Sequence, residues 1–191
     1  AALIVTRVVE GSEGIKDLWR RSTLWKVEAK WYLAAFGIPL ALALVSLGLG
    51  LLSMGGKSAY AAKLPIGSFV PFLLYMLVFT GIAEEPGWRG FALPRLQSRF
   101  NAEKASWILG ILWGVWHFPF IIYYNLAAGL APMIASLVGL TLGIVGWTIV
   151  NTWLYNNTES VWLMILLHGW GNAVQSYLVL SSNNMTAQTL Y

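Results

Sequence analysis

Long apolar runs separated by short polar breaks dominate the chain. Roughly 20 apolar residues cross the ~30 Å hydrocarbon core of a bilayer as a helix. Four runs meet that length: Trp31 to Met54, Ala105 to Tyr124, Met133 to Tyr155 and Val161 to Leu180. A fifth begins after Pro65 and Pro71 and reaches Glu84 and Glu85 too early to have crossed. Apolar character resumes with Trp88, Phe91, Ala92 and Leu93. The pattern therefore predicts an embedded helix that carries Glu84, Glu85 and Arg89 inside it and leaves near Arg95. Pro86 is expected to kink this helix and to draw Glu85 away from ideal helical geometry. Ahead of the first run, Leu18, Trp19, Trp25 and Val27 alternate with Lys16, Arg20, Arg21, Lys26 and Lys30. That is the pattern of an amphipathic helix lying at the membrane surface, or of a solvated basic linker. The opening "AALIVTRVVEGSEG" has no initiator Met and is broken by Arg7 too early for a signal-peptide core. A chain truncated at its N-terminus is expected. With no repeat, low-complexity tract or soluble segment, residues 1–191 read as one domain.

Composition agrees with the pattern. Hydrophobic residues make up 58% of the 191 residues and charged residues 10%, with a mean hydropathy of +0.65, against about 25% charged residues in a soluble domain. The fold class is therefore an all-α membrane protein, a bundle of about five transmembrane helices plus the N-terminal surface helix. The net charge of +4 does not indicate a nucleic-acid partner, because the basic residues lie between apolar runs, where they set topology. Cysteine is absent, which removes disulfides, thiol nucleophiles and Cys-ligated metals. Five Lys and Arg crowd Lys16 to Lys30; Arg95, Arg99 and Lys104 follow the fifth run, and none occurs after Lys104. Lys57 and Lys63 weaken the bias without reversing it. It places those two basic segments and the Asn156 to Ser160 turn in the cytoplasm, and Lys57, Asn125 and the C-terminus outside.

Against so apolar a background, "EEPGWRG" (Glu84 to Gly90) demands an explanation. An ionised group at mid-bilayer costs from about 3 to more than 10 kcal/mol, so such groups sit in protein-lined or watered cavities with partners. The chain has two histidines, and both fall within apolar runs: His117 in "LWGVWHFPF" and His168 in "LLHGWGN". Asn172 lies one turn after His168 on the same face, and Trp113 one turn before His117, placed to pack against the imidazole. Taken singly, each has an ordinary structural account. Glu85 and Arg89, spaced i to i+4, suit a structural ion pair; a lone His or Asn suits a bond to a neighbouring helix. Together, two histidines and a carboxylate beyond the one that Arg89 would pair point to a functional site. "GLTLG" (Gly139 to Gly143) fits a small-xxx-small packing face without chemistry.

These residues carry a resemblance. "EEPGWRG" is similar to an EExxxR motif, "WGVWH" to FxxxH with Trp113 in place of Phe, and "HGWGN" to HxxxN. The three occur in the order found in the CPBP family, the CAAX proteases and bacteriocin-processing enzymes also called Abi proteins, and the likeness extends into "FALPRLQSRF". Members of that family usually have further spans upstream, so Ala1 is expected to be the tail of one. The resemblance implies an intramembrane endopeptidase, and the chemistry of the residues agrees. Peptide hydrolysis needs a base for water, a proton donor for the leaving amine and donors for the oxyanion. Glu84 is the expected base, and His117 would hold and polarise the water. His168 and Asn172 would donate to the oxyanion. Glu85 and Arg89 would fix the helix, with Glu85 able to share the proton. No cofactor is favoured. The alternative is a zinc site of Glu84, His117 and His168 with an open position for water, as the family's frequent description as metalloproteases suggests, although "HExxH" is absent.

The expected partners are the lipid bilayer and a peptide or membrane-protein substrate, with a lipidated C-terminus as one form. The expected location is the cell membrane, with the site facing the cytoplasm. The other function classes are a non-catalytic immunity or scaffold protein and a proton-linked carrier, which would more typically show inverted halves with broken helices. Helix lengths of about 1.5 Å per residue let Glu84, His117, His168 and Asn172 line one cavity if Pro119 bends its helix just beyond His117. The topology is directly testable: cysteines introduced at Ser98 and Ser181 should label from opposite faces of the membrane, and labelling of both from one face would sink this orientation.

Overall fold

The structure, a computed structural model, describes residues 1–53 and 66–178. The helix ends expected at Met54 and Leu180, the Lys57 and Lys63 loop and the C-terminal segment lie outside the described residues. Every regular element among the described residues is helical: α1 (Ala2–Ser22), α2 (Ala29–Ser53), α3 (Phe69–Gln97), α4 (Ala102–Trp116), α5 (Phe118–Asn125), α6 (Leu130–Thr158) and α7 (Val161–Leu178). Short 3₁₀ turns precede α3 (Ile66–Ser68) and follow α5 (Leu126–Ala128). The chain is thus an all-α membrane protein, and each of the five predicted apolar runs is helical. Among the described residues three helices, α2, α3 and α6, are long and apolar enough to cross a membrane, and α4 with α5 makes a fourth span if the pair, bent by 43°, is counted as one. Helix α7 is not among them, because it carries His168, Asn172 and Gln175 within 18 residues. Its Leu163, Met164, Leu167 and Ala173 are fully buried, and a helix enclosed by protein needs less apolar surface than one facing lipid.

The chain divides into two compact units, one of Ala1–Leu24 with Pro86–Val161 and the other of the described parts of Trp25–Glu85 and Trp162–Tyr191. In the first, α4 packs on α6 through two glycines. A Cβ on Gly110 would lie 2.7 Å from Val145 Cα, and one on Gly114 would lie 3.0 Å from the Thr141 side chain. The small-xxx-small face is therefore "GILWG". The predicted face at Gly139 and Gly143 is corrected: a Cβ at either would meet nothing within 4 Å among the described residues, so that spacing packs on no described neighbour. Asn101 starts α4 by accepting the Lys104 N–H at 2.9 Å, and Glu103 in the first turn complements the helix dipole. Pro119 ends it, as expected, with the bend just at His117.

Helix α1 differs from its prediction. It runs from Ala2 to Ser22 with a break at Gly11, whose φ of 68° and ψ of −152° lie where only glycine sits without strain. Thr23 to Glu28 are not helical, and Lys30 already belongs to α2. The amphipathic helix therefore stops before Trp25, since Leu18 is buried while Trp19 and Trp25 stay exposed. Arg95 pairs with Glu10, and the Ser160 hydroxyl donates to the Leu24 carbonyl at 2.6 Å, holding α1 to the unit.

In the second unit α2, the first part of α3 and α7 pack together. A Cβ on Gly81 would lie 2.6 Å from the Ile165 carbonyl oxygen, and one on Gly169 would lie 2.8 Å from Leu77 Cα, so α3 and α7 approach backbone to backbone. Trp170 Nε1 donates to the Phe36 carbonyl at 2.9 Å. The Ser68 and Tyr177 hydroxyls share a hydrogen bond of 2.7 Å. Helix α3 itself contains two π-helical stretches, Leu77–Ile82 and Trp88–Ala92, on either side of the α-helical turn Ala83–Gly87. Pro86 can neither donate to the Ile82 carbonyl nor sit close to it, and the wider turn ahead, in which the Ala83 N–H reaches the Val78 carbonyl, makes room. Glu85, expected to leave ideal helical geometry, stays within the α-helical turn.

The glycine contacts generate a stability prediction. Gly110→Ala and Gly169→Ala should each destabilise by about 1 to 3 kcal/mol through overpacking, whereas Gly139→Ala should be neutral or stabilise by about 0.5 to 1 kcal/mol through helix propensity. Thermal midpoints of the purified variants in detergent measure this, and equal effects at Gly110 and Gly139 would contradict the packing face described.

Candidate active site

The second unit brings Glu85 and His168 together, although 83 residues separate them in sequence. His168 Nδ1 lies 2.7 Å from Glu85 Oε1, and the two side chains are 5% and 0% exposed. The close approach at Gly81 and Gly169 explains the meeting: Gly81 lies one turn before Glu85, and Gly169 adjoins His168. The carboxyl group engages Nδ1, and Nε2 is the ring's other nitrogen. Asn172 follows one turn later, half-buried, and its backbone carbonyl accepts the Ser176 hydroxyl at 2.8 Å. Glu84 is half-buried and points about 100° round the helix from Glu85. The adjacent carboxylates therefore have different surroundings, and only Glu85 is fully enclosed.

The first unit holds Arg89, Trp113 and His117. The Arg89 guanidinium is buried and stands over the Trp113 ring at 4.5 Å, a cation–π contact strengthened by removal from water. Trp88 lies beside the same ring, with centroids 6.2 Å apart. The His117 ring is 6.1 Å from that of Trp113, and its Nδ1 donates to the Trp113 carbonyl at 2.8 Å. The helix end makes this bond available. The His117 N–H bonds to Gly114 O rather than reaching back a full turn, so the Trp113 carbonyl is open to the imidazole. Trp113 thus orients His117 by its backbone as well as its ring. Within either unit, among the described residues, no three His, Cys, Asp or Glu side chains are grouped to hold a metal ion.

The i to i+4 spacing suggests Arg89 as the partner of Glu85; the bond that encloses Glu85 in its own unit comes from His168, and no local spacing signals it. The expectation for Trp113 holds, with a carbonyl contact that no sequence pattern announces.

The sequence model of the type II CAAX prenyl endopeptidase Rce1-like family matches residues 66–174, more than half of the chain and the whole stretch from Glu84 to Asn172. The chain belongs to this family. It is also 36% identical over 124 residues to the CAAX prenyl protease 2 of Methanococcus maripaludis, a match that covers 63% of this chain and 45% of that protein. The chain therefore spans less than half the length of that curated relative. No solved structure matches. Helices α1 and α2 precede the family match.

The Glu85–His168 bond can be measured as a coupling. Glu85→Ala and His168→Ala should each cost about 1 to 3 kcal/mol by leaving a buried polar partner, and the double variant should fall short of their sum by about 1 kcal/mol or more. Denaturation of the four proteins in one detergent checks it; additivity within about 0.5 kcal/mol would mean that the two do not pair.

Proposed function

We propose that the chain is an intramembrane endopeptidase that hydrolyses a peptide bond with a water activated by Glu84 and His117. The buried Glu85–His168 hydrogen bond is the observation that supports it best, because it assigns different work to two adjacent carboxylates. Glu85 orients an imidazole. Glu84, less buried, is left with the access to water that a general base needs. In the proposed reaction Glu84 takes a proton from water as the oxygen attacks the scissile carbonyl. His117 accepts the water's other hydrogen at Nε2, its ring held by the Trp113 carbonyl. Asn172 donates its amide to the developing oxyanion. His168, held at Nδ1 by Glu85, lies one turn from Asn172 and would donate to the same oxyanion. Glu84 then returns its proton to the leaving amine. Arg89, stacked on Trp113, fixes the helix that carries the base.

Imidazoles held through Nδ1 are also the kind of donor that zinc accepts. In that version Glu84, His117 and His168 would hold the ion, which lowers the pKa of bound water, and Glu85 would have to serve as base. The glutamate version is preferred because Glu85 is already bonded to His168. For the substrate, the family description and the relative's name point to a peptide with a prenylated cysteine near its C-terminus. The charge bias places the site on the cytoplasmic side of the cell membrane.

The test is cleavage of prenylated and unprenylated peptides by the purified protein. Glu84→Gln and His117→Ala should each lower kcat by about 10² to 10⁴-fold with the thermal midpoint unchanged. Activity should survive a chelator, and its loss there would select the zinc version. Full activity of both variants, or of His117→Ala alone, would end the hydrolase assignment of these residues.

A further inference from the structure

Arg21, in the last turn of α1, lies outside both the family match and the motif residues, and its side chain is only 11% exposed. Its guanidinium reaches three elements of the first unit. Nε donates to Asp17 Oδ2 at 2.8 Å within α1, and Nη1 donates to Tyr155 Oη at 2.6 Å on α6 and to the Gly90 carbonyl at 2.9 Å on α3. Burial alone would lower the Arg21 pKa, but Tyr155 and Asp17 beside it outweigh burial and hold it above its ordinary value. It is a permanent cation.

Arg21 gives the Gly90 carbonyl a side-chain donor. In a regular helix it would accept the N–H four residues later, but that residue is Pro94, which has none. Gly90 lies in the π-helical stretch Trp88–Ala92 and adjoins Arg89. The chain of contacts continues from Arg89 to the Trp113 ring, and from the Trp113 carbonyl to His117 Nδ1. We infer that Arg21 is a positioning residue: by supplying the donor that Pro94 lacks at Gly90, it fixes the backbone turn carrying Arg89, and through Arg89 and Trp113 it sets the His117 imidazole. The inference rests on the endopeptidase function proposed above for its kinetic consequence only. It makes the N-terminal helix a working part of the catalytic unit. The guanidinium suits this place because its planar fork spreads its donors over a rigid frame, whereas a lysine ammonium concentrates three donors at one point.

The experiment uses the intact chain in liposomes, with peptide cleavage and amide hydrogen exchange across residues 88–96 measured in parallel. Arg21→Met should lower kcat about ten- to a hundredfold with KM within about twofold, and should speed exchange in that segment. Adding Pro94→Ala, which returns an N–H four residues after Gly90, should recover most of the loss in both readouts. Tyr155→Phe, which leaves the Gly90 contact intact, should change little. If Arg21→Met fails to accumulate, Arg21→Lys is read in the same way with a smaller loss. Unchanged exchange across 88–96 in the arginine variant overturns the inference, whether or not any peptide is cleaved, as does a kcat loss of equal size with and without Pro94→Ala. Absence of cleavage by the unaltered chain would instead sink the endopeptidase assignment, and the exchange measurement would still decide the role of Arg21.

Discussion

Hydrocarbon offers no hydrogen bonds, so every proline inside an embedded helix leaves a carbonyl that the protein must satisfy or turn aside. Three prolines, Pro86, Pro94 and Pro119, lie among the residues that carry the chemistry, and each is accommodated differently. Ahead of Pro86 the helix widens into the π turn Leu77–Ile82. Opposite Pro94, Arg21 donates to the Gly90 carbonyl. Before Pro119 the helix ends and bends by 43°, and the Trp113 carbonyl exposed by that ending accepts His117 Nδ1. The backbone irregularities thus create acceptors and space beside the polar side chains. A regular helix would have used those carbonyls up, and the imidazole of His117 would lack its anchor.

Close backbone approach does the corresponding work for His168. Without a hydrophobic force between helices in lipid, association depends on tight packing and interhelical hydrogen bonds. Gly81 and Gly169 let α3 and α7 approach within the space a Cβ would fill, and the Glu85–His168 bond closes one turn away from Gly81. Packing and polar bonding reinforce each other, since the bond reaches 2.7 Å only if the backbones are this near, and the buried carboxylate is tolerable only with the bond made. Both histidines have Nδ1 engaged, one by the Glu85 side chain and one by the Trp113 carbonyl.

Much of the fold was legible because length and hydropathy are local properties. The five apolar runs are all helical, the continuation of α3 beyond Glu84 was forced by Trp88 to Leu93, and the bend at Pro119 came from a missing N–H. The candidate residues stood out because charges and histidines are rare in so apolar a chain. Properties that depend on which faces meet were not legible. Gly139–Gly143 and Gly110–Gly114 have the same spacing, yet only the second faces a neighbour. Glu85 has an arginine at i+4, yet the partner found within its unit lies on another helix. The end of α1 before Trp25 depended on where Leu18 and Arg21 find contacts, which no periodicity encodes. The count of spans was blurred at α7 for a related reason: its polar residues lower its hydropathy while its apolar ones are enclosed by protein rather than lipid.

The spacing of "EEPGWRG" reflects its position in the chain. Glu84 and Glu85 belong to the unit built on α2 and α7, whereas Arg89 belongs to the unit built on α1, α4 and α6, and the motif is the covalent link that runs through both. Glu85 meets His168 in the one and Arg89 meets Trp113 in the other, and Pro86 lies between them in the α-helical turn flanked by the two π stretches. Two adjacent carboxylates then become chemically different without any difference in residue type. The one facing His168 is fully buried in a bond to it, and its half-buried neighbour points about 100° away round the helix.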